Sequence, residues 1–371
     1  MRRPVSVSAP GKLILMGEHA VVYGRPALVA AIDLRLTARL SASSSEGVLL
    51  DLPGLGHDEE LPWQALRAYA RAARESWEGY AREPASESFR KVRGEDPAHV
   101  VKVALGEAAG FLESKGQTLA EPGSGLRLRV DSDLPVGSGF GSSAATAVAV
   151  TAACLAYATG SADFSYTPSD IERLALETER RQHGLPSGVD GATVLHGGVL
   201  WARRSPAGGL EIERVAVRSP LLDRLRVYDT GTPAEPTGAV VAAVRERRDR
   251  DPAGYEELLG RMEAATGAFR GELERPEEDP DRTLHLLRDI EGCLEGIGVV
   301  PEAVRDVVRR IESQGGAAKI SGAGSLSGSG AGSLLVYHPE PERIAGWAFL
   351  RPFSFHPVRL GAPGFRQEAS G

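Results

Sequence analysis

Apolar and polar positions alternate over residues 5–8 and again over 30–40, where Ala30, Ile32, Leu34, Leu36, Ala38 and Leu40 fall on one face. A short apolar run fills 13–16. A period of two predicts strands, here a meander feeding a sheet. Residues 125–131 alternate in the same way, and 198–201, 224–229 and 333–337 read as shorter strands. Apolar positions recur at helical spacing over 63–80, 97–115, 169–182, 237–249, 253–274, 280–296 and 301–314. The run from Ala144 to Ala156 is small and apolar all round, as expected of a helix packed close to a sheet. Ser169 and Glu172 have the spacing of a capping box. The polar stretch 83–88 reads as a surface loop, and a polar hairpin follows Trp201.

These elements divide near Ser219 into an N-terminal lobe, 1–219, and a C-terminal lobe, 220–371, an organisation suited to a 371-residue chain with 42% hydrophobic residues. The net charge of −7 argues against nucleic acid as the main partner. No apolar window reads as a signal peptide or a membrane span, so a cytoplasmic protein is expected. Cys154 and Cys293 stand in apolar surroundings without zinc-like spacing and read as buried, inert thiols. Only five of the 43 basic residues are lysines. Two of them, Lys12 and Lys319, lie near glycines in apolar surroundings, and a compact ammonium suits a phosphate as a point charge.

Two glycine-rich segments, 136–144 and 321–332, suit backbone amides that approach an anion closely. In the first, Gly137, Gly139 and Gly141 let the chain wrap an anion while Ser142, Ser143 and the following helix terminus point donors at it. A tight strand-to-helix turn with a serine cap accounts for the segment equally well on its own. No Walker P-loop pattern occurs, and no dinucleotide-binding βαβ unit surrounds the loop. The run Leu185-Pro-Ser-Gly-Val-Asp190 sets a carboxylate in a tight loop read as lying just ahead of an apolar strand. Asp190 is then either an Asx-turn residue or a fixed, buried functional acid. Glu172, Glu177 and Glu179 share the preceding helix, and any of them offers a hard oxygen for Mg²⁺ beside a serine hydroxyl. His19, His183 and His196 lie near the glycine motifs, each more often structural than catalytic.

With these residues assembled, the chain resembles the GHMP family of small-molecule kinases. The first motif is matched by Ala9-Pro-Gly-Lys12 through Gly17-Glu-His-Ala-Val-Val-Tyr-Gly24, the second by 135–145, the aspartate segment by His183 to Asp190, and the third by Lys319-Ile-Ser-Gly-Ala-Gly324. Within the family the first motif is most similar to the form that acts on mevalonate. The resemblance implies a two-lobed α+β fold, with an N-terminal lobe like ribosomal protein S5 domain 2 and a ferredoxin-like C-terminal lobe. It implies Mg²⁺-dependent transfer from ATP to the 5-hydroxyl of mevalonate, in isoprenoid biosynthesis, with the phosphorylated acid as the alternative acceptor. By match, Asp190 and Lys12 are the catalytic residues, and Ser143 and Glu179 hold Mg²⁺. Ser132, Gly137, Ser138, Gly139, Phe140, Gly141, Ser142 and Ser143 bind the nucleotide, and Glu18, His19 and Thr237 grip the substrate. A homodimer is compatible with the resemblance, and no membrane partner is implied. Two features depart from the family pattern: the third motif is lengthened and serine-rich over 322–332, and Thr237-Gly238 stands where relatives carry Thr-Lys or Thr-Arg. A silent nucleotide or metabolite sensor is disfavoured, because Lys12, Ser143, Glu179 and Asp190 are all present.

Overall fold

The computed structural model describes residues 2–83, 89, 91–92, 95–120, 123–135, 137–160, 166–205 and 208–369. The loop expected over 83–88 lies, from 84 onward, outside the described residues, as does Val136 of the first glycine loop.

The alternating segments 5–8 and 30–40 extend into two long strands, β1 (Val5–Met16) and β2 (Ala27–Ser43), paired antiparallel with register shifts at Pro10/Gly11 and Ile14/Met16. β2 is long enough to carry two partners on its far edge. Its second half pairs with β5 (Gly125–Ser132) and its first half with β6 (Val199–Arg204). β3 (Val48–Leu52) runs parallel to β5 and antiparallel to β4 (His57–Leu61), and β7 (Leu210–Arg214) completes the hairpin with β6. Helices α1 (Trp63–Arg82), α2 (His99–Ser114), α3 (Ser142–Thr159) and α4 (Pro168–His183) form the helical layer of this lobe, with α3 packed on β1 and β2.

Helix α3 corrects the expectation that no segment approaches a membrane span. By length and composition it is long and apolar enough to cross one, but 78% of it is buried inside the fold. It lies between β1, β2 and the helices α2 and α4, where Ala144 to Tyr157 are buried on every side. Small side chains let the neighbouring backbones come close, so its apolar surface belongs to the core. The cap of α4 also differs from expectation. Thr167, with Asp170, forms the capping box, two residues ahead of Ser169 and Glu172, because Pro168 takes the first helical position.

After α5 (Val189–His196) and a short turn of helix, α6 (Leu221–Arg224), the chain builds a second sheet. Strands β8 (Leu225–Asp229), β9 (Ala317–Ser321), β10 (Ser333–Tyr337) and β11 (Ser354–His356) stand in the order β11-β8-β10-β9, all antiparallel. Fourth, first, third, second is the ferredoxin-like order. Between β8 and β9 come α7 (Thr237–Arg250), α8 (Pro252–Glu274), α9 (Pro280–Gly296) and α10 (Glu302–Ser313). α10 buries Val304, Val308 and Ile311, the i, i+4, i+7 stripe of a helix lying on a sheet. The protein is thus a two-lobed α+β fold, but the division at Ser219 is not clean. The tail returns to the first lobe, where β12 (Arg366–Gln367) pairs with β1, and Leu360 and Pro363 bridge to Ile32 and Gly197.

Both cysteines are buried and free, and burial pushes both thiols up. His57, Glu59 and Asp96 bring ligand atoms within 4.8 Å of one another, but Lys102 lies 2.6 Å from each of the two carboxylates and already compensates them.

Between the sheets, Lys319 of β9 and Glu18 form an ion pair with both side chains fully buried, and the ammonium also donates to the Ile14 and Ile320 carbonyls. Glu291 of α9 is buried nearby and accepts from the Ile320 amide at 3.0 Å. Burial pushes its carboxyl up to about 8, against the pull of that amide and of Lys319. A folded value raised from 4.5 contributes stability that is fully present below 4.5 and lost as pH rises through about 8. Glu291→Gln keeps an acceptor for the amide and removes this titration. The stability of the variant relative to the unsubstituted protein should therefore grow between pH 5 and 8, by up to about 1.4 kcal/mol per pH unit. Calorimetric melting profiles that run parallel over this range would refute the assignment.

Candidate active site

A cavity of ≈ 500 Å³ opens between the lobes. One wall is the glycine loop and the start of α3; another is Ser321 to Gly324 with Ala331 and Gly332; others include the α4–α5 turn, the turn around His19 to Val22, the 232–236 turn with one face of α7, and the Tyr80 and Phe89 rings. Hydrogen bonds that join the lobes cluster around it. Ser321 Oγ accepts from the Ile14 amide at 2.9 Å, His19 Nε2 meets the Ala323 carbonyl at 2.9 Å, Ser138 Oγ donates to Asp229, and Ser333 Oγ donates to the Ser138 carbonyl.

At the centre, Lys12 Nζ lies 3.1 Å from Asp190 Oδ2. Lys12 is buried on β1, and its own amide donates to the Phe140 carbonyl at 2.9 Å, which ties the strand to the glycine loop. Gly141 makes this approach possible: its φ is +76°, and a Cβ there would lie 2.7 Å from Lys12 Cγ. Asp190 does not sit ahead of a strand, as the sequence led us to expect. Gly188, at φ +84°, starts helix α5, and Asp190 occupies its first turn, where the helix dipole favours a carboxylate. The Pro/Gly turn that suggested a strand entry instead caps a helix of eight residues.

Of the three glutamates on α4, Glu179 is the one at this centre. Glu177 is paired with Arg180 and Arg181, and Glu172 lies partly exposed away from the cavity. The Glu179 carboxylate is buried, and a Cβ on Gly191 would come 3.3 Å from its Oε2. It makes no hydrogen bond among the described residues. Burial, then the charge of Asp190, push it up to about 8, with Lys12 opposing. Lys12 thus pairs with Asp190, while Glu179 lies under its charge without an ion pair to it among the described residues. Ser143, in the first turn of α3, lies 2.9 Å from His183 Nε2 at the end of α4.

Other expected residues fall in different places. Gly137, Gly139, Gly141, Ser142 and Ser143 line the cavity, and α3 begins with no side-chain cap, which leaves its first-turn amides to face the opening. Ser138 and Phe140 belong to the loop but turn their side chains away, Ser138 to Asp229 and Phe140 into the core against His356. Ser132 does not line the cavity; its hydroxyl accepts from the Leu134 amide. His19 and Thr237 are on the wall. His19 holds a positive φ of 58°, and burial lowers its pKa against the Ala323 contact. Glu18 is not on the wall: it is neutralised by Lys319, so neither residue is free for the substrate or phosphate contact expected of it.

Phe89, Tyr80 and Glu235 were missed. Phe89 and Tyr80 line the cavity and touch each other, with ring centroids 5.7 Å apart, and Phe89 packs onto Gly238 so closely that a Cβ there would lie 2.2 Å from the ring. A side chain at position 238 would therefore have to displace the Phe89 ring. Glu235 holds the lengthened third loop, accepting from Ser325 Oγ at 2.6 Å, the Leu326 amide at 2.9 Å and Ser327 Oγ at 2.5 Å. Despite partial burial, these donors hold its carboxyl below the usual range. A lone acid in a proline-rich turn gives no sequence signal for such a clasp.

A family model described as the GHMP kinases N terminal domain matches residues 100–198. The chain is 32% identical over 384 residues to a mevalonate kinase of Homo sapiens, covering 96% of this chain and 93% of the relative. It is 28% identical to a mevalonate kinase of Pyrococcus abyssi, covering 92% and 91%. Among solved structures, the L. major mevalonate kinase in complex with R-mevalonate has a TM-score of 0.68 at 22% identity, covering 98% of this chain and 99% of that one, a likeness that shows the fold.

Glu235 gives a test of the third loop. In Glu235→Ala, amide hydrogen exchange across 325–331 should rise about tenfold or more while the β8–β10 pair stays protected, because the clasp is local. Unchanged exchange at Leu326 would show that the loop is held by other contacts.

Proposed function

This chain belongs to the GHMP kinase family, and we propose that it is an ATP-dependent kinase that phosphorylates the 5-hydroxyl of mevalonate, a step of isoprenoid biosynthesis. The observation that carries the mechanism is the Lys12–Asp190 pair, 3.1 Å apart, facing a glycine loop at the uncapped start of a helix. Asp190 accepts the proton of the acceptor hydroxyl as its oxygen attacks the γ-phosphorus, and ADP leaves with the electrons of the broken P–O bond. Lys12 compensates Asp190 and then the charge developing between the acceptor oxygen and the γ-phosphoryl group. The amides of Gly137 to Ser143 hold the phosphates, so positioning and fixed dipoles supply most of the rate.

The residues present suit Mg²⁺. Glu179 is a buried carboxylate with no hydrogen bond among the described residues and a raised pKa, which marks a place short of positive charge. With the Ser143 hydroxyl it offers hard oxygens, and phosphates and water supply the remainder of a six-coordinate shell. Once bound, the ion would neutralise charge on the transferred phosphate. His183 orients the Ser143 hydroxyl.

Coupled ADP-release assays with Mg-ATP test this reading against mevalonate, 5-phosphomevalonate, homoserine and galactose. Turnover is expected on mevalonate. Asp190→Asn should lower kcat by about 10²–10⁴-fold with the KM for ATP nearly unchanged, and near-normal turnover in that variant would remove Asp190 as the base. In Ser143→Ala and Glu179→Gln, the Mg²⁺ concentration for half-maximal rate should rise about tenfold or more. Superimposable Mg²⁺ titrations would remove both as ligands.

A further inference from the structure

We propose that Arg245 recognises the carboxylate of the acceptor and so sets the specificity of the acceptor end of the cavity; the inference rests on the mevalonate reading. Among the described residues that line the cavity, only Lys12 and Arg245 carry a permanent positive charge. Lys12 is committed to Asp190. Arg245 is not committed: its guanidinium makes no hydrogen bond or ion pair among the described residues. The other basic residues of α7 are engaged. Arg247 donates to the Ile297 and Gly298 carbonyls, Arg248 lies 4.8 Å from the Tyr23 ring, and Arg250 pairs with Glu246. Thr237, Gly238, Val241, Ala242 and Arg245 all reach the cavity, the i, i+1, i+4, i+5, i+8 pattern of one helix face.

The position of Arg245 favours the acceptor over the nucleotide. Arg245 shares its helix face with Thr237, and Tyr80 and Phe89, in contact with each other over Gly238, border that face; none of them belongs to the glycine loop, and the charge of Arg245 also acts on the Tyr23 and Tyr80 hydroxyls. The Tyr23 hydroxyl is itself buried without a hydrogen-bond partner among the described residues. At the start of this helix face the Phe89 ring occupies the space over Gly238, and a cationic side chain there would have to displace it. The charge that meets an acceptor carboxylate therefore comes from two turns further along. Mevalonate carries its carboxylate at the opposite end from the reacting 5-hydroxyl, so a hydroxyl at Asp190 and a carboxylate at a second, separate cation fix both ends of the molecule. A planar guanidinium meets a carboxylate through two parallel N–H···O bonds, which an ammonium cannot reproduce.

The test is steady-state kinetics of the unsubstituted enzyme, Arg245→Lys and Arg245→Gln, with mevalonate and with 3-methylpentane-1,3,5-triol, in which a hydroxymethyl group replaces the carboxylate. In Arg245→Gln the KM for mevalonate should rise about 30- to 100-fold, with kcat and the KM for ATP within about threefold of the parent. The preference for mevalonate over the triol should collapse in Arg245→Gln and return in part in Arg245→Lys. An unchanged KM for mevalonate, a rise confined to the KM for ATP, or an equal loss on both acceptors would each overturn the inference while the kinase reading stands. Failure of the unsubstituted enzyme to turn over mevalonate would overturn the acceptor reading and this inference with it.

Discussion

At the centre of the molecule one ammonium pairs with one carboxylate, and a second, buried carboxylate stands beside them without an ion pair among the described residues. Lys12 touches Asp190 and opposes the raised pKa of Glu179, yet it leaves the pair short of one positive charge. Asp190 is partly exposed, but Glu179 is buried, and a buried carboxylate without compensation is costly and persists where the surrounding structure fixes it and a ligand supplies the missing charge. Here the fixing is done by backbone. The register shift in β1, the Phe140 carbonyl on the Lys12 amide, and a left-handed glycine against the lysine stem all set Lys12 in place. Helix α5 sets Asp190 in its first turn, and α4 carries Glu179 under Gly191. The chain has four elements converging on one charge deficit, which is what makes the cavity a place for a cation and a polyanion together.

A second lysine repeats the arrangement some distance away in the fold. Lys319 neutralises Glu18 between the two sheets, with Glu291 behind it, again one ammonium among carboxylates. Removing either Lys319 or Glu18 would leave the other as an uncompensated buried charge, so the seam between the lobes is specified rather than merely greasy. Its consequence for the site is positional. Glu18 precedes His19, whose ring bonds to Ala323, and Lys319 precedes Ser321, whose hydroxyl accepts from Ile14. The third glycine segment is thereby held against the first motif, and the walls of the cavity have a fixed spacing.

Much of this was legible in the chain because it is local. The long alternation of β2, the small apolar run of α3 and the glycine-serine loop each declare themselves within a dozen residues, and the scarcity of lysine singled out both Lys12 and Lys319. What the chain does not display is the partner. Lys319 looked like a phosphate ligand because nothing local says that Glu18 will meet it across 301 positions. Asp190 looked like the entry to a strand because a Pro/Gly turn followed by apolar residues has the same local form whether a strand or a short helix comes next. Glu172 and Ser169 had the spacing of a capping box, but Pro168 fixed the helix start one residue ahead of that serine. The return of the tail to β1 is a tertiary pairing of two residues, too short for any periodicity to reveal.

The acceptor end of the cavity shows how such non-local packing can decide chemistry. Phe89 comes from a segment with little regular pattern, Gly238 from the start of a helix, and Arg245 from two turns beyond it. The aromatic ring takes the volume above Gly238, so a side chain there would have to displace the ring, a constraint of contact and not of the helix itself. A charge requirement that position 238 does not meet then falls to the next position on the same face that reaches the cavity, and i+8 from Thr237 is such a position. A glycine at 238 and an arginine at 245 with no ion pair among the described residues thus meet at one end of the cavity, beside a ring carried by a residue about 150 positions upstream.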